Sequence, residues 1–139
     1  MGRFTHQHRV SWPEVDLAGV VYFVHFVNYF EAAETEWVRS HGIEYGEMLE
    51  TFGICMPRAS IHCDYHAPAR LDDLLDIEVR LARLGDTSFT LAFEIFTGQE
   101  KRCLADGTFV IVTVSRSTFG PIRIPDKLHE MLETLNVAE

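Results

Sequence analysis

The chain has 139 residues, of which 47% are apolar and 24% charged, and its net charge is −9 with histidine neutral. That size and balance suit one compact domain around one core and exclude wholesale disorder. The acidic charge disfavours nucleic-acid partners, no apolar run approaches the roughly 20 residues of a membrane span, and the opening MGRFTHQHRV has no apolar signal core, so a cytoplasmic location is expected.

Residues Arg3 to Trp12 alternate in part and read as a first strand, stopped by Pro13. His6 and His8 share a face of it at a spacing that suits a metal, but no third ligand is nearby in sequence, and no metal is expected. Pro13 to Gly19 reads as a loop. A long helix follows, in which Phe23, Phe26, Val27, Phe30, Ala33, Trp37 and Val38 obey the i, i+3, i+4, i+7 rule. Tyr22, Val24 and Tyr29 fall off this stripe, so the first turns read as buried on several sides. Glu31, Glu34, Thr35, Glu36 and Arg39 mark a wetter second half, and Gly42 follows as the stop.

Ile43 to Gly53 reads as a short helix, Ile54 to Ala67 as a strand with a bulge or edge near Pro57, and Pro68 to Asp73 as a turn. The clearest period-2 patterns come next. Leu75, Ile77, Val79 and Leu81 alternate with polar residues up to the turn at Gly85-Asp86. Phe89, Leu91, Phe93 and Ile95 alternate up to the turn at Gly98 to Lys101. A third strand runs from Leu104 to Val114 with a bulge expected at Asp106-Gly107. Asp126 to Leu135 reads as a C-terminal helix. The order strand, long helix, short helix, four strands predicts an α+β domain in which an antiparallel sheet of about five strands buries one face on the long helix. The odd set Cys55, Cys63 and Cys103, with no CxxC pair, reads as reduced and mostly buried thiols, with a nucleophilic cysteine as the alternative.

Asp16 to Gly19, just ahead of the helix, has two readings. Asp16 is either a cap beside a turn made by Gly19, which residue chemistry alone favours, or a reactive carboxylate beside a helix amino end. The segment Asp16-Leu17-Ala18-Gly19-Val20-Val21-Tyr22-Phe23, with Tyr29 and Glu36-Trp37 behind it, resembles the signature of the 4-hydroxybenzoyl-CoA thioesterase family. Tyr65-His66-Ala67-Pro68-Ala69-Arg70-Leu71-Asp72-Asp73 resembles that family's second recurring stretch. The resemblance implies the hotdog fold, a sheet wrapped around a central helix, across essentially the whole chain. It implies hydrolysis of a CoA thioester, aryl or short-chain, to free acid and CoA, and it turns the reading of Asp16 from cap to nucleophile or general base. By position it makes the backbone N–H of Phe23 the donor that polarises the thioester carbonyl. Many short-chain members of this group carry His where this chain has Phe23, which moves the match toward aryl-CoA members; His25 stands two residues on and is a candidate to orient substrate or water.

The same resemblance implies an acyl pocket walled by Trp12, Tyr22, Phe23 and Phe26, with Gly19 allowing close approach. Glu31 and Glu34 are rival acids on the helix, and His62 and His66 read as strand-face or interface residues. Arg83, Lys101, Arg102, Arg116 and Arg123 are candidates for the phosphates of coenzyme A, which enters as part of the substrate; no separate cofactor is expected. A homo-oligomer, dimer or tetramer, is expected from edge-to-edge pairing of sheets. A hotdog dehydratase or hydratase is disfavoured because His66-Ala67-Pro68 lacks a following glycine, and a non-catalytic acyl-CoA binder is disfavoured by the presence of Asp16.

Overall fold

The computed structural model describes residues 2–98 and 100–135. Gln99, inside the expected turn Gly98 to Lys101, and the ends of the expected domain at 1 and 136–139 lie outside the described residues. Ten elements follow in chain order: β1 (Arg3–Arg9), α1 (His25–Arg39), α2 (Tyr45–Phe52), β2 (Ile54–Cys55), β3 (Arg58–Tyr65), β4 (Leu74–Leu84), β5 (Ser88–Thr97), β6 (Cys103–Val112), β7 (Val114–Ser115) and α3 (Asp126–Glu133). Five strands form one antiparallel sheet in the order β1-β4-β5-β6-β3, while β2 and β7 pair separately. The expected α+β layout, a five-stranded sheet with a long helix against it, is present. Among the described residues no helix is long and apolar enough to cross a membrane.

The register explains the core. Ile77, Ile95 and Ala105 lie opposite one another across β4, β5 and β6, as do Val79, Phe93 and Gly107, and then Leu81, Leu91 and Phe109. All the side chains in these three rows point to the face that α1 covers, as period-2 alternation requires. Phe30 of α1 stacks on Phe93 at 4.7 Å and meets Phe109 edge-on at 6.0 Å. Gly107 sits under this aromatic contact. A Cβ there would lie 2.1 Å from the His62 carbonyl oxygen and 2.7 Å from Phe30 Cε2, so only glycine lets helix and sheet close.

Several boundaries differ from the sequence reading. β1 ends at Arg9, and Trp12 belongs to a 3-10 turn, Trp12–Glu14, because Pro13 fixes the turn rather than merely ending a strand. α1 starts at His25, so Tyr22, Phe23 and Val24 precede it and are exposed rather than buried on several sides. Tyr29, set off the stripe but expected to be buried with the first turns, is buried: it lies three residues from Phe26 and four from Ala33, on the face that meets the core. Pro57 separates β2 from β3 because it has no N–H for the ladder. The irregularity of β6 falls between Cys103 and Ala105, opposite Phe96 and Ile95, not at Asp106-Gly107. The glycine serves packing, not a bulge.

Candidate active site

Asp16 opens a tight hairpin. Its N–H donates to the Val20 carbonyl at 2.9 Å, and its carbonyl accepts the Gly19 N–H at 2.9 Å. Gly19 takes φ +79°, the left-handed value this loop type demands of its last residue. Asp16 Oδ1 accepts the Ala18 N–H at 2.8 Å, so the carboxylate caps its own turn rather than the helix. The bridge Val15–Val21 closes the hairpin, and Val20 pairs with Arg70 while the Val21 N–H donates to the Ala69 carbonyl at 2.8 Å. The loop is thus fixed to the 66–73 connection, at the end of the sheet where β3 finishes and β4 begins.

From Val21 the chain turns into α1 through Tyr22 to Val24. The N–H groups of His25 and Phe26 bond back to the carbonyls of Tyr22 and Phe23 at 2.9 and 3.2 Å. Those of Phe23 and Val24 donate to no protein acceptor among the described residues. They are the free donors expected at a helix amino end, where the macrodipole adds partial positive charge. No side chain caps this end. Tyr65 OH, on edge strand β3, donates to the Phe23 carbonyl at 3.0 Å and holds the pre-helix turn in place. His25 Nδ1 lies 3.3 Å from Asn28 Nδ2, an arrangement in which Asn28 donates and the imidazole proton sits on Nε2.

The aromatic residues expected as a pocket divide. Tyr22 and Phe23 pack at 4.9 Å, Phe23 meets Tyr65 at 6.4 Å, and Tyr65 meets Phe26 at 5.2 Å. Phe26 is buried beneath them and Phe23 is 57% exposed above. Trp12, 77% exposed, takes no part in this cluster. Of the candidate CoA cations, Lys101 and Arg102 lie at the Asp16 end of the sheet. Arg102 lines a cleft of about 450 Å³ with Arg9 and Arg70. Arg83, Arg116 and Arg123 sit at the opposite end, near the β4–β5 turn and after β7, separated by the length of β4, about 30 Å.

The rival acids also separate. Glu31 is exposed. Glu34 is 1% exposed and accepts from Arg58 Nη2 at 2.6 Å and from Tyr45 OH at 2.7 Å. Burial pushes the Glu34 carboxyl up, against the pull of Arg58 and Tyr45. This trio joins α1 to α2 and β3, with Glu34 buried and Tyr45 and Arg58 half-buried around it.

Glu14 is the residue that the sequence reading missed. Its Oε1 accepts from Tyr29 OH at 2.8 Å, from the Ser11 N–H at 3.1 Å, and lies 2.9 Å from His8 Nε2. Partial burial works to raise its carboxyl, but the bonds from His8, Ser11 and Tyr29 outweigh it and hold it below the usual range. Its carbonyl accepts the Tyr22 N–H at 2.9 Å. Glu14 therefore ties β1, α1 and the Asp16 hairpin together. The spacing Ser11-x-x-Glu14, half of a capping box, is the signal that could have found it. Arg70 and Tyr65 belong to the second family-like stretch, and their position beside the hairpin and the pre-helix turn brings them to the site.

Comparison with known proteins places the chain as a whole. Residues 18–104 match the family model described as "Thioesterase superfamily". The chain is 29% identical over 121 residues to the acyl-CoA thioester hydrolase YbgC of Escherichia coli, covering 86% of this chain and 88% of that protein. It is 27% identical over 105 residues to a 1,4-dihydroxy-2-naphthoyl-CoA hydrolase of Synechocystis, covering 76% of each. Among solved structures, a 1,4-dihydroxy-2-naphthoyl-CoA thioesterase from Synechocystis superposes with a TM-score of 0.88 at 22% identity, over 94% of this chain and 96% of that one. The chain belongs to the thioesterase superfamily and has its hotdog fold.

Proposed function

We propose that this protein is an acyl-CoA thioesterase that hydrolyses the thioester of an aryl or short-chain acyl group to the free acid and CoA. The observation that carries the reading is the pair of unused N–H groups at Phe23 and Val24, at the amino end of α1 and one hairpin away from the Asp16 carboxylate. Hydrolysis adds water across the C–S bond, and the carbonyl oxygen carries negative charge on the way. Preorganised N–H donors stabilise that charge, each worth about 3 kcal/mol in the transition state. Asp16 attacks the carbonyl carbon or takes the proton of the attacking water. The His25 Nε2–H orients substrate or water. The relatives named for CoA thioesters support the substrate class.

Tyr22, Phe23 and Phe26, with Tyr65 beside them, favour a flat acyl group. Arg102 and Lys101, joined by Arg9 and Arg70, lie on the side where CoA phosphates would be met. The reaction so drawn uses no cofactor. The protein acts on a small molecule, not on nucleic acid or membrane, in the cytoplasm, where its three thiols stay reduced. It works as a homo-oligomer, at least a dimer, joined along the open edge of β3, with tetramers formed by further stacking.

The test is a panel of acyl-CoA and aryl-CoA thioesters with released thiol as the readout, for the wild type and for Asp16→Asn. The variant is expected to keep the fold and lose about a hundredfold in turnover. Equal turnover would remove Asp16 from the mechanism. Tight CoA binding with no hydrolysis of any thioester would replace the enzyme with a binder.

A further inference from the structure

Three chemically different donor groups converge where β3 ends and β6 begins. The His66 imidazole, the Cys103 thiol and the Asp106 carboxylate each place a donor atom within 4.8 Å of the other two. His66 Nε2 lies 2.7 Å from Asp106 Oδ2. All three side chains reach solvent in part.

Their convergence depends on an irregularity. Cys103 and Asp106 are three apart on one strand, and strict alternation would put them on opposite faces. The register jumps here, so that Ile95 faces Ala105 while Phe96 faces Cys103, and Leu104 is the extra residue. A bulge of this kind re-aims a side chain, and it brings Cys103 to the outer face that Asp106 occupies. The carbonyl of the same Leu104 accepts the N–H groups of both His66 and Ala67, at 2.8 and 3.2 Å. The backbone that carries His66 is therefore fastened to the residue that turns Cys103 outward.

The local charge agrees. Glu78, Glu94, Asp106 and Asp64 stand directly opposite one another across β4, β5, β6 and β3. Like charges so placed destabilise a sheet unless a cation intervenes. Glu78 has Arg3 as its cation at 2.8 Å, and Asp64 has a hydrogen-bond partner in His62 Nε2 at 3.0 Å. Glu94, between Glu78 and Asp106, has no cationic partner among the described residues.

We propose that His66, Cys103 and Asp106 bind a divalent transition-metal ion of the zinc class, which fastens the end of β3 to the start of β6. Imidazole nitrogen, thiolate sulfur and carboxylate oxygen are the ligand types such an ion takes, whereas calcium and magnesium prefer oxygen alone. On binding, the thiol releases its proton to solvent and the His66–Asp106 hydrogen bond gives way to two metal bonds. The site shares no residue with Asp16 to His25 and stands or falls apart from the hydrolytic reading.

The test uses full-length protein, reduced and stripped of metal with a chelator, then titrated with Co²⁺ as a spectroscopic probe. One equivalent per chain is expected to produce a sulfur-to-cobalt charge-transfer band and strong visible bands of tetrahedral type, both erased by added Zn²⁺. Zn²⁺ should also raise the melting temperature. Cys103→Ser should abolish the charge-transfer band, Asp106→Asn and His66→Ala should each weaken binding by about tenfold or more, and Cys55→Ser should change nothing. Absence of the band in the wild type would overturn the proposal. So would a band that survives Cys103→Ser, which would assign the metal to another thiol.

Discussion

The two oxygens of Asp16 have different surroundings. Oδ1 holds the hairpin by accepting the Ala18 N–H, and Oδ2 has no protein donor among the described residues, which leaves it available for chemistry at an exposed position. Asn at this position can still accept from Ala18, so Asp16→Asn tests the charge and leaves the turn in place. Glu14 is the opposite case, a carboxylate whose bonds are all structural. Its carboxyl is held below the usual value, so the stability it contributes is complete above the ordinary glutamate range and is lost as pH falls through its lowered value. Denaturant titrations at pH 7 and in the acid range below about 4 should show this loss in the wild type. In Glu14→Gln the loss should shrink, while the variant starts less stable at neutral pH by about 1–2 kcal/mol.

At the scale of elements, the packing of α1 on the sheet depends on a missing side chain and on a buried carboxylate paired with a half-buried arginine. Gly107→Ala would drive a methyl group into the His62 carbonyl and the Phe30 ring, and should cost roughly 3 kcal/mol or more, read as a fall in denaturation midpoint. Arg58→Met should cost about 3–5 kcal/mol near neutral pH, because Glu34 is then buried without its partner. Burial already raises the Glu34 carboxyl. Without Arg58 the folded chain holds that proton more tightly, so the variant should be most stable in acid and weaken as pH rises toward 8, the reverse of the Glu14 effect. Much of this level was legible in the chain. Periodicity located β4, β5 and α1, since alternation and helical spacing are local consequences of burial. The role of Gly107 was not legible, because a glycine beside Asp106 signals a bulge locally and a helix contact only once Phe30 is placed above it. The start of α1 was misplaced because Tyr22 to Val24 are apolar, and apolar residues ahead of a helix look like its first turn.

For the whole molecule, the open question of the surface is the β3 edge. Ile61 is exposed on the helix-side face of that strand, and Tyr65 links it to Phe23. Ile61→Lys places a charge on the edge and should convert an oligomer to monomer in light scattering, with loss of thioester hydrolysis if the site is completed across the pairing; a wild type already monomeric at micromolar concentration would refute edge pairing. The candidate site was legible in part. A resemblance in Asp16 to Phe23 singled out the carboxylate and the helix end, while the Ser11-x-x-Glu14 spacing marks Glu14 as a cap but not its bonds to His8 and Tyr29, which come from two other elements. Arg83, Arg116 and Arg123 share only the property of being cations near strand ends, and strand ends lie at both extremes of a sheet.

Tyr22, Phe23 and Val24 sit outside the core, above a buried Phe26, on a turn held by backbone bonds and by the Tyr65 hydroxyl. Side chains so placed are free to change without disturbing what keeps the protein folded. If the proposed acyl pocket holds, a chain built this way can exchange one acyl preference for another by single steps, each tolerated by the fold, because Tyr22 and Phe23 meet the acyl group from outside the core and only Phe26 belongs to both. Libraries randomised at these three positions should therefore remain mostly folded while their activity profiles diverge, which makes the turn the natural place for this scaffold to diversify.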